Sequence, residues 1–162
     1  MLFKEEVNNL NELINLVKDK VSGQIKVAVV CMLFDEDNKL ILHRRGPGAR
    51  DEVGKLLAIG GSYNASDGTF RSALLRELNE EAGSKAHYEL GEFIGGLYHS
   101  SFDNIAMKQT DWIILGYKGT FTGELENVEL DRCSGFERYK VEDLNRDELG
   151  ISTIKFLDEM YK

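Results

Sequence analysis

Arg76-Glu77-Leu78-Asn79-Glu80-Glu81-Ala82-Gly83 is the stretch on which the reading of this chain turns. At about 100° per residue, a helix brings Glu77, Glu80 and Glu81 onto one narrow face. Like charges at that spacing repel and destabilise an isolated helix. A chain that keeps three of them together needs something to neutralise them, and a divalent cation can do so with one ligand. On the other side of the same helix, Leu74, Leu75, Leu78 and Ala82 are expected to face a core. Thr69 stands where an N-cap belongs and Gly83 where a left-handed C-cap belongs, so the helix is predicted over residues 70–82. Just upstream, Leu56 to Ile59 reads as a short apolar strand running into Gly60-Gly61, with a polar loop from Ser62 to Gly68.

Before this centre, Phe3, Val7, Leu10, Ile14, Val17 and Val21 recur at spacings of three and four, which predicts an amphipathic helix over residues 4–20. That helix either packs on the body of the protein or forms the contact of a homodimer, because the same spacing is a coiled-coil seam. Ile25 to Phe34 is rich in β-branched residues and reads as a buried strand. Asp35 to Asn38 makes a turn, and Lys39 to Arg45 returns as a second strand. Further strands are expected near residues 88–99, 111–121 and 133–140, with a final helix over about 151–161. Strands lie on both sides of the central helix without regular alternation. The pattern suits an α+β protein, an α/β/α sandwich with a mixed sheet between helices, and not a doubly wound parallel sheet. No repeat or linker divides the chain, so residues 1–162 are read as one domain. Its parts are a helical extension at 1–22, a core at about 24–145 and the C-terminal helix.

The formal net charge of −8 argues against a nucleic-acid polymer as partner, since phosphate backbones select basic faces. It leaves room for a small phosphorylated ligand, because a metal ion inverts the local field of an acidic cleft. The two cysteines, Cys31 and Cys133, have no metal-finger spacing and suit free thiols in a reducing compartment. The start of the chain lacks a signal-peptide core, and the longest apolar run, Val27 to Phe34, is too short to span a membrane. A cytoplasmic protein without membrane contact is expected.

The chemistry follows from the glutamate face. Magnesium and manganese prefer carboxylate, carbonyl and water oxygens. Three glutamates are too few for a closed cage, which leaves positions for water and substrate phosphates.

The stretch from Gly61 to Ser84 resembles the signature of the Nudix hydrolases, which runs Gly, five residues, Glu, seven residues, Arg-Glu-aliphatic-x-Glu-Glu-x-Gly-aliphatic. Arg76, Glu77, Leu78, Glu80, Glu81 and Gly83 match its second half. The first half departs. Asp67 lies five residues beyond Gly61, where the signature has glutamate, and eight residues then precede Arg76 instead of seven. We align Asp67 with that glutamate and place a one-residue insertion in the loop. Ile59 and Ser84 also replace the usual proline and aliphatic residue.

The resemblance implies a Nudix-like fold and hydrolysis of a pyrophosphate bond in a nucleoside diphosphate linked to another group. The substrate would be a nucleotide sugar, a dinucleotide or a nucleoside triphosphate. It further implies that Glu77, Glu80, Glu81 and the Gly60 carbonyl hold Mg2+ or Mn2+, and that Arg76 orients the glutamates. The general base would be a signature glutamate or an acid from a distant loop, Glu129 first and Glu126 second. Arg44 and Arg45 end a strand near the expected phosphates, and alternation lets only one of them face the cleft. Tyr98, Phe102 and Trp112 are candidates for stacking on a base, while His43, His87 and His99 have no ligand spacing with each other. The rival reading is a Nudix-fold sensor that binds nucleotides without hydrolysing them, for which the irregular first half is the only support.

Overall fold

A computed structural model describes residues 1–21, 24–129 and 133–162. Among the described residues, seven strands form one mixed sheet: β1 (Lys26–Phe34), β2 (Leu40–Arg45), β3 (Leu56–Leu57), β4 (Ile59–Ser62), β5 (His87–Asp103), β6 (Lys108–Thr122) and β7 (Cys133–Tyr139). The main path runs β3-β2-β1-β6-β5, with β4 also paired to β1 and β7 to β2. Only β1 and β6 run parallel, from Lys26 beside Trp112 to Phe34 beside Thr120. The other pairings are antiparallel.

Alternation along β1 divides the core between the two faces of the sheet. Val29, Cys31 and Leu33 join one apolar cluster with α2 (Phe70–Ala82) and α1 (Leu10–Val17). Met32 and Phe34 join the other, with α3 (Ile151–Met160). This is the α+β sandwich, a mixed sheet between helices, that the strand and helix pattern predicts.

The cleft opens inside the sheet, where two strands share β1. β1 changes partner along its length: Leu33 and Phe34 pair with β2, whereas Ala28 to Cys31 pair with β4. The expected single strand over residues 56–59 is therefore two short strands on different neighbours, and the second continues through the glycines to Ser62.

The N-terminal helix is shorter than its periodicity predicts. Asn9 caps it by accepting from the Glu12 N–H at 3.0 Å, and Glu12 accepts in turn from the Asn8 N–H at 2.6 Å. Phe3 instead bridges to Gly96 of β5. A Cβ on Gly96 would fall 2.3 Å from the Phe3 ring, so that glycine makes the seat for the ring. Leu13 and Val17 of α1 are buried against the protein's own core while Ile14 is exposed, as expected of a helix packed on the body.

Candidate active site

The helix at the centre of the sequence reading forms over the predicted residues. Thr69 caps α2 by accepting from the Ser72 N–H at 3.1 Å, and Gly83 ends it at φ 91°, a conformation that glycine adopts without strain. Leu74, Leu78 and Ala82 are fully buried, but Leu75, expected with them, is exposed; its position turns outward, and Phe70 and Ala73 complete the core face.

The edge between the buried and exposed faces meets β4. A Cβ at Gly61 would lie 2.3 Å from Glu77 Oε2, so the missing side chain is what lets the Glu77 carboxylate approach the strand. At Gly60 a Cβ would lie 2.0 Å from the Val29 carbonyl oxygen, inside the sheet itself. The Tyr63 N–H bonds to the Val27 carbonyl at 2.9 Å, which fixes the alternation of hydrogen-bonded pairs between β4 and β1. Gly60 falls in a non-bonded pair, so its N–H and C=O both point away from β1. The N–H donates to Glu81 Oε2 at 3.1 Å, which sets the Gly60 carbonyl on the glutamate side as well.

Arg76 ties the loop, strand and helix together. Its guanidinium makes a two-pronged pair with Asp67 at 2.6 and 2.9 Å and donates to the Ser62 carbonyl at 2.9 Å. It also reaches Glu77 at 2.9 Å and Glu80 at 3.0 Å. The Asn64 N–H donates to Asp67 at 2.9 Å, holding that carboxylate from the loop side. Asp67, not Gly68, therefore meets the helix arginine, and Gly68 takes up the extra residue at φ 77°. The pair with Arg76 holds the Asp67 carboxyl below its usual range.

The carboxylates of the cleft are electrostatically frustrated. Burial pushes the Glu77 carboxyl up, against the pull of Arg76, and Glu80 and Glu129 add to the rise. Burial pushes Glu81 up to about 8, with the charges of Glu129 and Glu77 contributing. Glu129, distant in sequence, is thus folded against the glutamates of α2. A cleft of about 820 Å3 opens beside them, its lining including Arg45, Gly60, Arg76, Glu77, Glu81 and Glu129. An all-oxygen donor set with uncompensated negative charge fits a hard divalent cation.

The NUDIX domain family matches residues 24–160, most of the chain. The chain belongs to the Nudix family. Nudix proteins are typically pyrophosphohydrolases and generally depend on divalent metal. Solved Nudix structures share the fold. The MutT Nudix hydrolase from Burkholderia pseudomallei is 23% identical with a TM-score of 0.71, over 85% of this chain and 98% of that one. The MutT protein from Methanosarcina mazei is 18% identical with a TM-score of 0.69, over 88% and 100%. The Nudix domain of NrtR from Shewanella oneidensis, solved with ADP ribose, is 16% identical with a TM-score of 0.64, over 93% and 95%. No curated protein matches the chain by sequence.

Within this Nudix chain the two strand arginines separate. Arg45 lines the cleft beside Asp51, 2.8 Å away, whereas Arg44 pairs with Glu137 at 2.6 and 2.9 Å and with Glu148 at 3.6 Å. Alternation allows one cleft-facing arginine, and Arg45 is the one that lines the cleft; the apolar neighbours of Arg44 on its face of β2, Leu40 and Leu42, belong to the α3 face, where its charge is paired. Glu126 is likewise turned away, its carboxylate 2.6 Å from Lys85 and its N–H bonded to the Ala82 carbonyl at the end of α2. Of the three aromatic candidates only Trp112 lines the cleft, with the Lys26 ammonium 5.5 Å from its ring centre; Tyr98 and Phe102 are exposed.

His99, Ser101 and Asp103 face the cleft at alternate positions of β5, together with Asp51, Glu52 and Arg50 from the loop after β2. Of these, the sequence singles out only His99, and without a role. The two-residue period on β5 was the available signal, but the strand pairing that aims it at the cleft is not a local property. Among the described residues no helix is long and apolar enough to cross a membrane.

Proposed function

We propose that this protein hydrolyses a pyrophosphate bond in a small nucleoside-diphosphate compound, with Mg2+ or Mn2+ as its cofactor. The observation that carries this reading is the convergence of Glu77, Glu81, Gly60 and Glu129 in one cleft, where burial and mutual repulsion raise Glu81 to about 8. Glu77, Glu80, Glu81 and the Gly60 carbonyl would hold the cation. When bound it would lower the pKa of water and offset charge on phosphate oxygens. Arg76 keeps Glu77 and Glu80 in orientation through its four-way network. Glu129 is the first choice for the base that takes the proton from the attacking water, since it reaches the cleft without belonging to the helix. Arg45 is the side chain we assign to the substrate phosphates.

Candidate substrates are nucleotide sugars, dinucleotides and nucleoside triphosphates, and ADP-ribose heads them because a Nudix domain of similar fold was solved with it. A sensor that binds without hydrolysis is suggested by the irregular first half of the signature. The Asp67–Arg76 pair counts against it, because the loop is braced despite the insertion.

The test incubates purified protein with Mg2+ or Mn2+ and a panel of these compounds and follows phosphate-containing products. Glu80→Gln and Glu81→Gln should each lower turnover by about 10²-fold or more with unchanged circular dichroism. Wild-type activity in both variants would remove the metal assignment. Metal-dependent binding with no turnover across the panel would favour the sensor.

A further inference from the structure

We propose that Asp51 is a positioning residue for the arginine of the cleft: it keeps the Arg45 guanidinium from closing onto the glutamates, so that the cation and the substrate phosphates can be held side by side. The proposal rests on the assignment of the glutamates to the cation and of Arg45 to the phosphates.

Arg45 stands where its charge is strongly drawn inward. The pairing of β2 with β7 shifts register between Arg44 and Arg45, which puts Arg45 opposite Cys133; such an irregularity re-aims the side chain that follows it. The Arg45 charge pulls the Glu81 carboxyl down against its burial, and the Cys133 thiol feels Glu81, Glu129 and Arg45 together. A guanidinium is a permanent cation whose fork of donors fits a carboxylate. Seated on Glu81 or Glu129, it would neutralise the charge that recruits the divalent ion and leave the phosphates without a partner. Yet among the described residues Arg45 makes its ion pair with Asp51, 2.8 Å away, and with no glutamate of the cleft.

The Asp51 anchor is itself held from several sides. Arg45 Nε donates to the Asp51 backbone carbonyl at 3.3 Å, and a terminal nitrogen donates to one carboxylate oxygen at 2.8 Å. The other carboxylate oxygen accepts from the Ser101 hydroxyl of β5 at 2.8 Å. One residue earlier, the Arg50 carbonyl accepts from the Asn104 N–H at 2.9 Å, and the Arg50 side chain pairs with the buried Asp103 at 3.0 Å. The loop closes on the backbone of Arg45, whose N–H donates to the Lys55 carbonyl at 2.8 Å and whose carbonyl accepts from the Gly54 N–H at 2.9 Å. Two of the guanidinium's five N–H groups are thus spent on Asp51, which fixes its plane and leaves three for phosphate oxygens.

Mn2+ is the probe, and its binding to the full-length protein without substrate is measured by titration calorimetry. Wild type, Asp51→Ala, Asp51→Asn, Arg45→Ala, the Arg45→Ala/Asp51→Ala double variant and Glu81→Gln are compared, with near-ultraviolet circular dichroism as the check on the fold. Asp51→Ala should weaken Mn2+ binding about 10-fold or more, although Asp51 is not a ligand in this reading. Asp51→Asn keeps the size of the side chain and an oxygen for Ser101, and should weaken binding in the same direction. In the Arg45→Ala background the same Asp51→Ala change should alter the Kd by no more than about 3-fold, because no guanidinium remains to close onto the glutamates. A loop that had merely come loose would cost as much in either background. Unchanged Mn2+ affinity in folded Asp51→Ala and Asp51→Asn overturns the proposal, as does an equal loss with and without Arg45. Glu81→Gln separates the two readings. If it binds Mn2+ as wild type does, the glutamate assignment falls and the proposal with it; if it loses Mn2+ while the Asp51 variants do not, the proposal alone falls.

Discussion

Replacing Glu81 by glutamine should stabilise the metal-free protein while abolishing its use of metal. In the fold this carboxyl titrates at about 8, against an ordinary value of 4.5, chiefly because it is buried and secondarily because Glu129 and Glu77 face it. Every tenfold change in the ionisation constant corresponds to about 1.4 kcal/mol between the two protonation states. At pH 7 the unfolded carboxyl is ionised while the folded one stays protonated, so the native state binds the extra proton. Stability then falls as pH rises, by up to about 1.4 kcal/mol per pH unit between 4.5 and about 8. Glutamine does not titrate, and its side-chain oxygen can still accept from the Gly60 N–H. The expected gain is about 3 kcal/mol at pH 7, growing to about 5 kcal/mol at pH 9, and near zero at pH 4.

Urea denaturation in EDTA, monitored by circular dichroism across that pH range, measures this directly. The variant's midpoint at pH 7 should lie roughly 1–2 M above wild type. Saturating Mg2+ should raise wild type by mass action and leave the variant unmoved. Equal or lower stability of Glu81→Gln in EDTA at pH 8, or a difference that does not depend on pH, would refute the argument that this carboxyl is held in the fold against its own ionisation.

The two glycines of β4 should fail in opposite ways. Gly61→Ala displaces only the end of the Glu77 side chain, so it should change stability by less than about 1 kcal/mol yet lower turnover by about 10²-fold; Gly60→Ala drives a methyl into the Val29 carbonyl and should destabilise by about 2 kcal/mol or more in thermal melts. Asp67→Asn should cost about 1–3 kcal/mol at pH 7. The folded carboxyl is held below its usual value, so this contribution is present above the unfolded pKa of about 3.8 and disappears as pH falls through the folded one, which paired acid titrations of both proteins would reveal. Arg45→Ala should raise KM about 10-fold with the fold intact, and Arg44→Ala should leave steady-state kinetics unchanged and shift stability by less than about 1 kcal/mol, its pair being partly exposed.

The helix, its caps and its acidic face were legible in the sequence because each depends on residues within one or two turns. Thr69, Gly83 and the spacing of Glu77, Glu80 and Glu81 carry that information locally. Most strands were legible for the same reason. What the sequence concealed was always a matter of partners. The periodicity of residues 4–20 ignores that Phe3 has a seat on Gly96, a strand away, which holds the first residues extended. Leu56 to Ile59 reads as one strand, yet β3 pairs with β2 and β4 with β1. Alternation allowed only one cleft-facing arginine but gave no phase; pairing of Arg44 with Glu137 on β7 supplies it.

The loop insertion shows how the site tolerates a departure from its usual pattern. Asp67 has a shorter side chain than glutamate, and the loop is one residue longer. The two changes offset each other: a short helical turn over Ala65–Asp67 and a left-handed Gly68 bring the shorter acid up to Arg76, where both of its oxygens are bonded. Because Arg76 also holds Glu77 and Glu80, an error in the loop would pass to the metal face through one guanidinium. The bidentate geometry keeps that from happening, and a monodentate acceptor at position 67 would not. Position 67 thus needs a carboxylate at a defined reach more than it needs a glutamate, and the length of the loop and the length of the side chain can vary only together.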